Sequence, residues 1–90
     1  GTTTWNPAGV SRASHRINGT NTPTLSDGTD GQLLHIYVGD VLSAGSSTVT
    51  VTSSCGFNTI AFNAVGDTVT LMFNQGFGWS IFGSYGVTIS

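Results

Sequence analysis

The segment Gly66–Gly83 predicts a β-hairpin, because apolar and polar residues alternate with a period of two on both sides of a turn at Gln75-Gly76. One face of this hairpin is expected to lie in the domain's own core. The other face also carries large apolar side chains, Met72 and Phe82, and so small a chain has little with which to cover them. We therefore expect the second face to contact other chains. The expected core residues are Val69, Leu71, Phe73, Trp79 and Ile81.

A regular series of short strands is predicted from residue 31 onward. Gly-containing turn signals separate apolar or threonine-rich runs at intervals of about 8–12 residues, which is typical of an all-β fold. No apolar stripe with helical spacing lasts three turns. We predict a small antiparallel β-sandwich or barrel of about six short strands, with an intertwined triple β-helix as the alternative. The predicted strands are Gln32–Val38, Ser47–Ser53, Asn58–Asn63, Asp67–Phe73, Phe77–Phe82 and Gly86–Ile89.

The two faces of the first predicted strand differ in character. One face, with Leu34, Ile36 and Val38, is aliphatic and is expected in the core. The other is bulky and semi-polar, which is typical of an interface between chains. In a three-fold oligomer, copies of His35 could meet on the axis and hold a metal ion or an anion. An ordinary interface role is simpler, and we predict no metal site. The residues predicted to contact sister chains are Leu33, His35, Tyr37, Met72 and Phe82.

The chain divides near residue 30. Residues 1–30 are polar and lack strong alternation, so we expect an N-terminal arm or edge strands there. Residues 31–90 are expected to form the β domain, and the whole chain one structural unit. The N-terminal sequence GTTTWNPAGV has neither the basic leader nor the hydrophobic core of a signal peptide, and we expect it to continue a longer protein.

Charged residues are scarce, and this excludes several classes of partner. They make up 7% of the chain, compared with about 25% in a typical globular domain, and there is no Lys and no Glu. Nucleic-acid binding is therefore not expected. No apolar run approaches the roughly 18 residues of a membrane span, so membrane insertion is not expected either.

Neither a disulfide nor a metal site is expected to stabilise this chain. Cys55 is the only cysteine, which excludes an internal disulfide, and two His with one Cys are too few for a structural zinc site. We expect no cofactor. A chain of 90 residues buries a thin core, so oligomerisation is the remaining means of stabilisation.

No catalytic constellation is evident. Asp27 and Asp30, in the sequence SDGTDG, are the only closely spaced carboxylates, and a pair of this kind could serve a glycosidase. Asp-Gly pairs are more typical of turns, because Gly adopts positive φ and Asp bonds to its own backbone. We predict that the protein is not an enzyme, and a small glycan hydrolase stays as the alternative if both carboxylates meet in a cleft.

The residue types of a sugar-binding site are present, but their spacing does not assemble them into one. Such sites combine aromatic rings with amides and Gly-rich loops. Trp79 is in phase with Ile81 and is assigned to the core. The strand Ser47–Ser53 is expected to present a solvated threonine face. The residues predicted to bind a ligand are Tyr85, Asn74, Gln75 and Tyr37.

An ordered series of motifs extends from residue 25 to residue 83. It comprises LSDGTDGQ, a strand, a Thr/Val strand, NTI, GDTVTLMF and WSIFG. This series resembles modules near the ends of bacteriophage fibre and spike proteins. The resemblance implies an all-β, homotrimeric, structural module of the virion whose target is a host cell-surface receptor. It carries over no catalytic residue, since the motif positions are turn and core residues.

These observations lead to one functional expectation and one alternative. We expect a homotrimeric phage fibre or spike tip module that attaches to glycan on the host cell surface, located in a virion appendage or on the capsid surface. The alternative is a purely structural capsid decoration or fibre-assembly module without a ligand.

Overall fold

Nine β-strands and no helix form the part of the chain that the computed structural model describes, namely residues 4–7, 9–42 and 45–90. The prediction of an all-β fold is therefore confirmed. Part of the predicted N-terminal segment, residues 1–3 and 8, lies outside the described residues. The strands are β1 (Thr4–Trp5), β2 (Arg12–Ile17), β3 (Thr24–Leu25), β4 (Leu33–Val41), β5 (Ser47–Val51), β6 (Thr59–Phe62), β7 (Thr68–Asn74), β8 (Gly78–Tyr85) and β9 (Thr88–Ile89).

The strands form two mixed sheets, so the prediction of an antiparallel fold is wrong in this respect. The five-stranded sheet has the order β1-β3-β5-β6-β9, and the four-stranded sheet has the order β2-β4-β7-β8. The pairings β1–β3, β3–β5 and β2–β4 are parallel. Each of these involves a strand from residues 4–30, whereas the six predicted strands, β4 to β9, pair with one another in antiparallel fashion.

The three strands of the N-terminal segment account for the difference from the predicted number of about six. In β2, Ala13, His15 and Ile17 alternate inward with exposed residues, so only one large aliphatic side chain marks the inner face. The strands β1 and β3 have two residues each, which is too short for a period of two to be recognised.

The side chain of Gln32 ties the N-terminal segment to the start of β4. Its Nε2 donates hydrogen bonds to the carbonyl oxygens of Pro7, at 2.5 Å, and Val10, at 2.6 Å. Its Oε1 accepts a hydrogen bond from the backbone N–H of Thr29 at 2.8 Å. A single amide therefore fixes the loop before β2 relative to the turn before β4.

The β7–β8 hairpin contains a bulge. Leu71 pairs with Ile81, whereas the preceding residue, Thr70, pairs with Gly83. Phe82 is therefore an extra residue in β8, with no direct partner in β7. A bulge of this kind bends the strand and increases its twist.

One hydrophobic cluster draws side chains from both sheets, and Trp79 is fully buried in it. The Trp79 ring meets Phe73 edge to face, with 5.2 Å between the ring centroids. Its indole Nε1 donates to the carbonyl oxygen of Ser26 at 3.1 Å, so the polar atom of the ring is satisfied. Of the other predicted core residues, Val69, Leu71 and Phe73 are buried, and Ile81 is half-buried and packs against the cluster.

The two sheets are joined where the chain after β5 runs beside the start of β8. The backbone N–H of Trp79 donates to the carbonyl oxygen of Ser53, and the N–H of Cys55 donates to the carbonyl oxygen of Trp79, each at 2.9 Å. Gly78 has a φ of +86°, and a Cβ there would lie 2.6 Å from the carbonyl of Ser53. Glycine is therefore required at this point by both conformation and space.

Candidate functional site

An open groove of about 900 Å³ lies at one end of the molecule, between the turn before β4, the chain after β5 and the β7–β8 turn. Most of its lining side chains are polar and uncharged, two are carboxylates, and none is a cation. The polar lining residues are Asp27, Thr29, Asp30, Thr52, Ser53, Ser54, Asn58 and Gln75.

Hydrogen bonds between turns hold the walls of the groove. Oδ1 of Asp30 accepts from the backbone N–H of Gln75 at 2.8 Å, which joins the turn before β4 to the β7–β8 turn. The hydroxyl of Thr52 donates to the carbonyl oxygen of Leu25 at 3.0 Å, and Oδ1 of Asp27 lies farther from the same hydroxyl, at 3.4 Å. Asp30-Gly31 forms a turn, as predicted, with a φ of +81° at Gly31. The turn prediction is wrong for Asp27-Gly28, which is irregular chain.

Among the described residues, Phe77 is the one aromatic side chain that is both exposed and part of the groove lining. Its side chain is 74% exposed, and its backbone N–H closes the turn by donating to the carbonyl oxygen of Asn74 at 3.0 Å. The sequence prediction assigned Phe77 to a strand and gave it no functional role. The available signal was its position between Gly76 and Gly78, which is typical of a turn tip rather than of a packed strand.

The four residues predicted to bind a ligand do not lie at one place. Gln75 lines the groove. Asn74 is half-buried at the end of β7, where it pairs with Gly78, and it is not among the lining residues. Tyr37 and Tyr85 lie on the four-stranded sheet. Each is directly opposite Thr68 of β7, Tyr37 from β4 and Tyr85 from β8.

The residues predicted to contact sister chains lie on or beside the outward side of the four-stranded sheet. Leu33, which is 48% exposed, pairs directly with Met72, which is half-buried. Phe82, at the bulge, is 65% exposed. We call this surface the bulky face and define it by Leu33, Tyr37, Met72, Phe82 and Tyr85.

His35 is held within the bulky face by its own neighbours. Its Nδ1 lies 2.9 Å from the hydroxyl oxygen of Thr70, and its ring stacks on Tyr37 with 6.0 Å between the centroids. The side chain is half-buried. These contacts fix the orientation of the imidazole.

A second, more apolar cavity of about 390 Å³ lies beside β2. His15 forms part of its lining, and its ring meets Trp5 and Phe62 edge to face, at 4.8 Å and 5.8 Å between centroids. The Nε2 atom of His15 is buried and has no hydrogen-bond partner among the residues that the structure describes. Burial lowers the pKa of His15 below its ordinary value of 6.5, so the imidazole is held in its neutral form.

The structure also places the remaining residues that were considered for catalysis or metal binding. Asp27 and Asp30 are exposed side chains that both border the groove. Cys55 is an exposed free thiol. Within residues 4–7, 9–42 and 45–90, no three His, Cys, Asp or Glu side chains cluster so as to hold a metal ion. In the same described ranges, no helix has the length and apolar character needed to cross a membrane.

Comparison with known proteins gives no assignment: the chain matches no protein-family model and no curated protein.

Proposed function

We propose that this chain is a homotrimeric, non-enzymatic module of a bacteriophage virion appendage, with its two sheets packed as a small sandwich, and that it attaches the virion to host cell-surface glycan. The ordered motifs between residues 25 and 83 support the virion assignment. The hydrogen bond that Asp30 accepts from the backbone N–H of Gln75 supports a structural rather than a catalytic role for this carboxylate.

The exposed apolar surface of the bulky face is the observation that best supports a homotrimer. A sheet face in contact with water is normally polar, whereas this one presents Leu33, Phe82 and Tyr85 as exposed large side chains. Leu33 and Met72 are direct cross-strand partners, so their apolar surface is contiguous. Contiguous exposed apolar surface is typical of an interface between proteins. Copies of the same face, packed around a three-fold axis, would remove this surface from water.

Trimerisation also gives weak sites a useful strength. A shallow polar groove binds a single sugar weakly, because water competes for each hydrogen bond. Three linked copies turn the second and third binding events into intramolecular ones, provided that one host surface engages them together. Assembly and attachment are therefore parts of the same proposal.

The mass of the protein in solution tests the assembly. Multi-angle light scattering after size exclusion is expected to give three chain masses at micromolar concentration. A mass of one chain contradicts the proposal, because both the cover for the bulky face and the avidity depend on the trimer.

A glycan array probed with the labelled trimer tests attachment separately. Binding to host-type glycans is expected. A blank array together with a stable trimer would instead favour the purely structural alternative, a capsid decoration or fibre-assembly module without a ligand.

A further inference from the structure

We infer that the groove at the end of the molecule is the glycan site, and that it binds a hexose-type saccharide without negative charge, with Phe77 as the surface on which a sugar ring stacks. This inference rests on the proposed attachment function and assigns it to a particular place and ligand class. The predicted ligand residues Tyr37 and Tyr85 lie outside this groove.

Phe77 supplies the apolar contact. Its side chain is 74% exposed in the free protein and borders the groove, so its ring surface is accessible to a ligand there. The carbon-bound hydrogens on one face of a hexose form an apolar surface of similar width. Stacking the two removes apolar area from water on both partners. An exposed phenylalanine beside a polar groove therefore favours a ligand with one apolar face and several hydroxyl groups.

The polar lining supplies hydrogen-bond partners for those hydroxyl groups. A carboxylate has about four acceptor positions, and the contacts to Thr52 and Gln75 use one oxygen each of Asp27 and Asp30. Asn58, which is exposed and lines the groove, offers an amide that both donates and accepts. Acceptors and donors of this kind suit a saccharide, whose hydroxyl groups do both.

The charge of the groove selects among saccharides. Two carboxylates line it and no cation does, because the only arginines of the chain, Arg12 and Arg16, lie on β2 outside the lining. An anionic sugar would therefore meet like charge without compensation. Neutral hexoses are accepted, and amino sugars gain from the carboxylates.

The groove walls are already connected before a ligand binds. The Asp30–Gln75 hydrogen bond joins two of its turns, and Gln32 anchors the backbone of Thr29 in the same region. A site whose walls are held in place loses less conformational entropy on binding. This order makes a shallow site effective for a rigid ligand such as a pyranose ring.

The test is a titration of the ¹⁵N-labelled trimer with three trisaccharides of matched length: cellotriose, which is neutral, fully deacetylated chitotriose, whose protonated amino groups are cationic, and trigalacturonate, which is anionic. Amide resonances of residues 27–31, 52–58 and 74–78 are expected to shift with the first two at millimolar concentration and to stay unchanged with the third. Asp27→Asn is expected to reduce the preference for chitotriose over cellotriose, since it removes one of the two charges.

Two variants at exposed apolar side chains locate the site. Phe77→Ala is expected to weaken binding by about tenfold or more, the loss that follows when a ring of this size is no longer buried. Val65→Ala is the control, because Val65 is 63% exposed and lies outside both the groove lining and the bulky face, and its affinity is expected to be unchanged.

The outcomes separate this inference from the function on which it rests. Shifts confined to β4 and β8, with binding kept in Phe77→Ala, would overturn the groove assignment while attachment to glycan stands. The absence of shifts with all three sugars also overturns the groove as a hexose site. Only a blank glycan array, measured independently, counts against attachment itself.

Discussion

The outward faces of the two sheets have opposite characters although both sheets share one core. On the five-stranded sheet, cross-strand pairing places one threonine from each of four strands in a single row. We call this the threonine face and define it by Thr4, Thr24, Thr50 and Thr59. The four-stranded sheet instead presents aliphatic and aromatic side chains at several outward positions, those of the bulky face.

The contrast indicates how a chain with few charges divides its surface. Threonine has a high strand propensity, and its hydroxyl group keeps an uncharged face hydrated. A face that is built in this way can stay in water without a partner. The bulky face also carries Thr68 and Thr70, but its cross-strand partners Leu33 and Met72 and the exposed Phe82 make part of it suited to burial. The proposed assembly therefore uses this face.

The largest expected effect is on the core that both faces require. Trp79→Ala should lower the free energy of unfolding by about 3–5 kcal/mol, since it leaves a cavity in the cluster shared by the sheets and removes the hydrogen bond to Ser26. Urea denaturation followed by circular dichroism measures this loss. Phe77→Ala, on the same hairpin but at an exposed position, should change stability by no more than about 0.5 kcal/mol. Equal losses in the two variants would contradict the shared-core interpretation.

A charge placed on each face in turn tests the contrast directly. Leu33→Asp should weaken trimer association by about 2–3 kcal/mol for each contact, or about a hundredfold in Kd, because a carboxylate would be desolvated against apolar side chains. Thr50→Asp should leave the mass unchanged, since the threonine face stays in water. Light scattering over a concentration series measures both. Dissociation by Thr50→Asp with an intact Leu33→Asp trimer would reverse the assignment of the faces.

Much of the fold could be predicted because the chain alternates clearly from residue 31 onward. The strands β4 to β8 each have a recognisable period of two, and Gly residues mark the turns between them and the turn before the two-residue strand β9. The N-terminal strands gave no such signal. In β2 the inner positions include Ala13 and His15, neither of which is a large aliphatic residue. Their parallel pairing depends on contacts distant in sequence, which local patterns do not reveal.

The groove was harder to predict than the faces. The sequence selects Gln75 by its residue type, whereas it assigns Asp27 and Asp30 to turns, with a glycosidase pair as the alternative. Their second role arises because those turns meet the β7–β8 turn in space, a proximity fixed by tertiary packing. The exposure of Phe77 follows from the turn at Gly76 and Gly78, and a strand assignment at that position conceals it.

A smaller effect on stability is expected at the junction between the sheets, where two glycines of the β7–β8 hairpin can be compared. Gly76 and Gly78 have φ values of +92° and +86°, so alanine at either position is strained by about 1–2 kcal/mol. A Cβ at Gly76 has open space around it, whereas one at Gly78 would meet Ser53. Gly78→Ala should therefore destabilise the protein by at least about 1 kcal/mol more than Gly76→Ala, as measured by urea denaturation. Equal effects would show that the sheets do not depend on this close approach.

The smallest expected effect concerns His15, on the inner side of the four-stranded sheet. The neutral His15 imidazole is buried there with an unpartnered Nε2, and its pKa is lowered by that burial. The unfolded chain therefore binds a proton more readily than the folded chain. Stability should be complete above pH 6.5 and should fall as the pH decreases below it, with a slope of at most about 1.4 kcal/mol per pH unit.

Denaturation at pH 7.5 and 5.5 measures this slope, and two variants isolate it. His15→Gln keeps a polar side chain, and His15→Phe keeps an aromatic one, but neither titrates. In both variants, the change of the unfolding free energy with pH should lose the part that His15 contributes. His35 is present in every protein compared, so it does not account for a difference between them. His15→Phe should also be at least as stable as His15→Gln, because it leaves no polar atom unpaired beside Trp5 and Phe62. An unchanged slope in both variants would show that this imidazole is not held neutral by the fold, and that the sheet tolerates charge on its inner side.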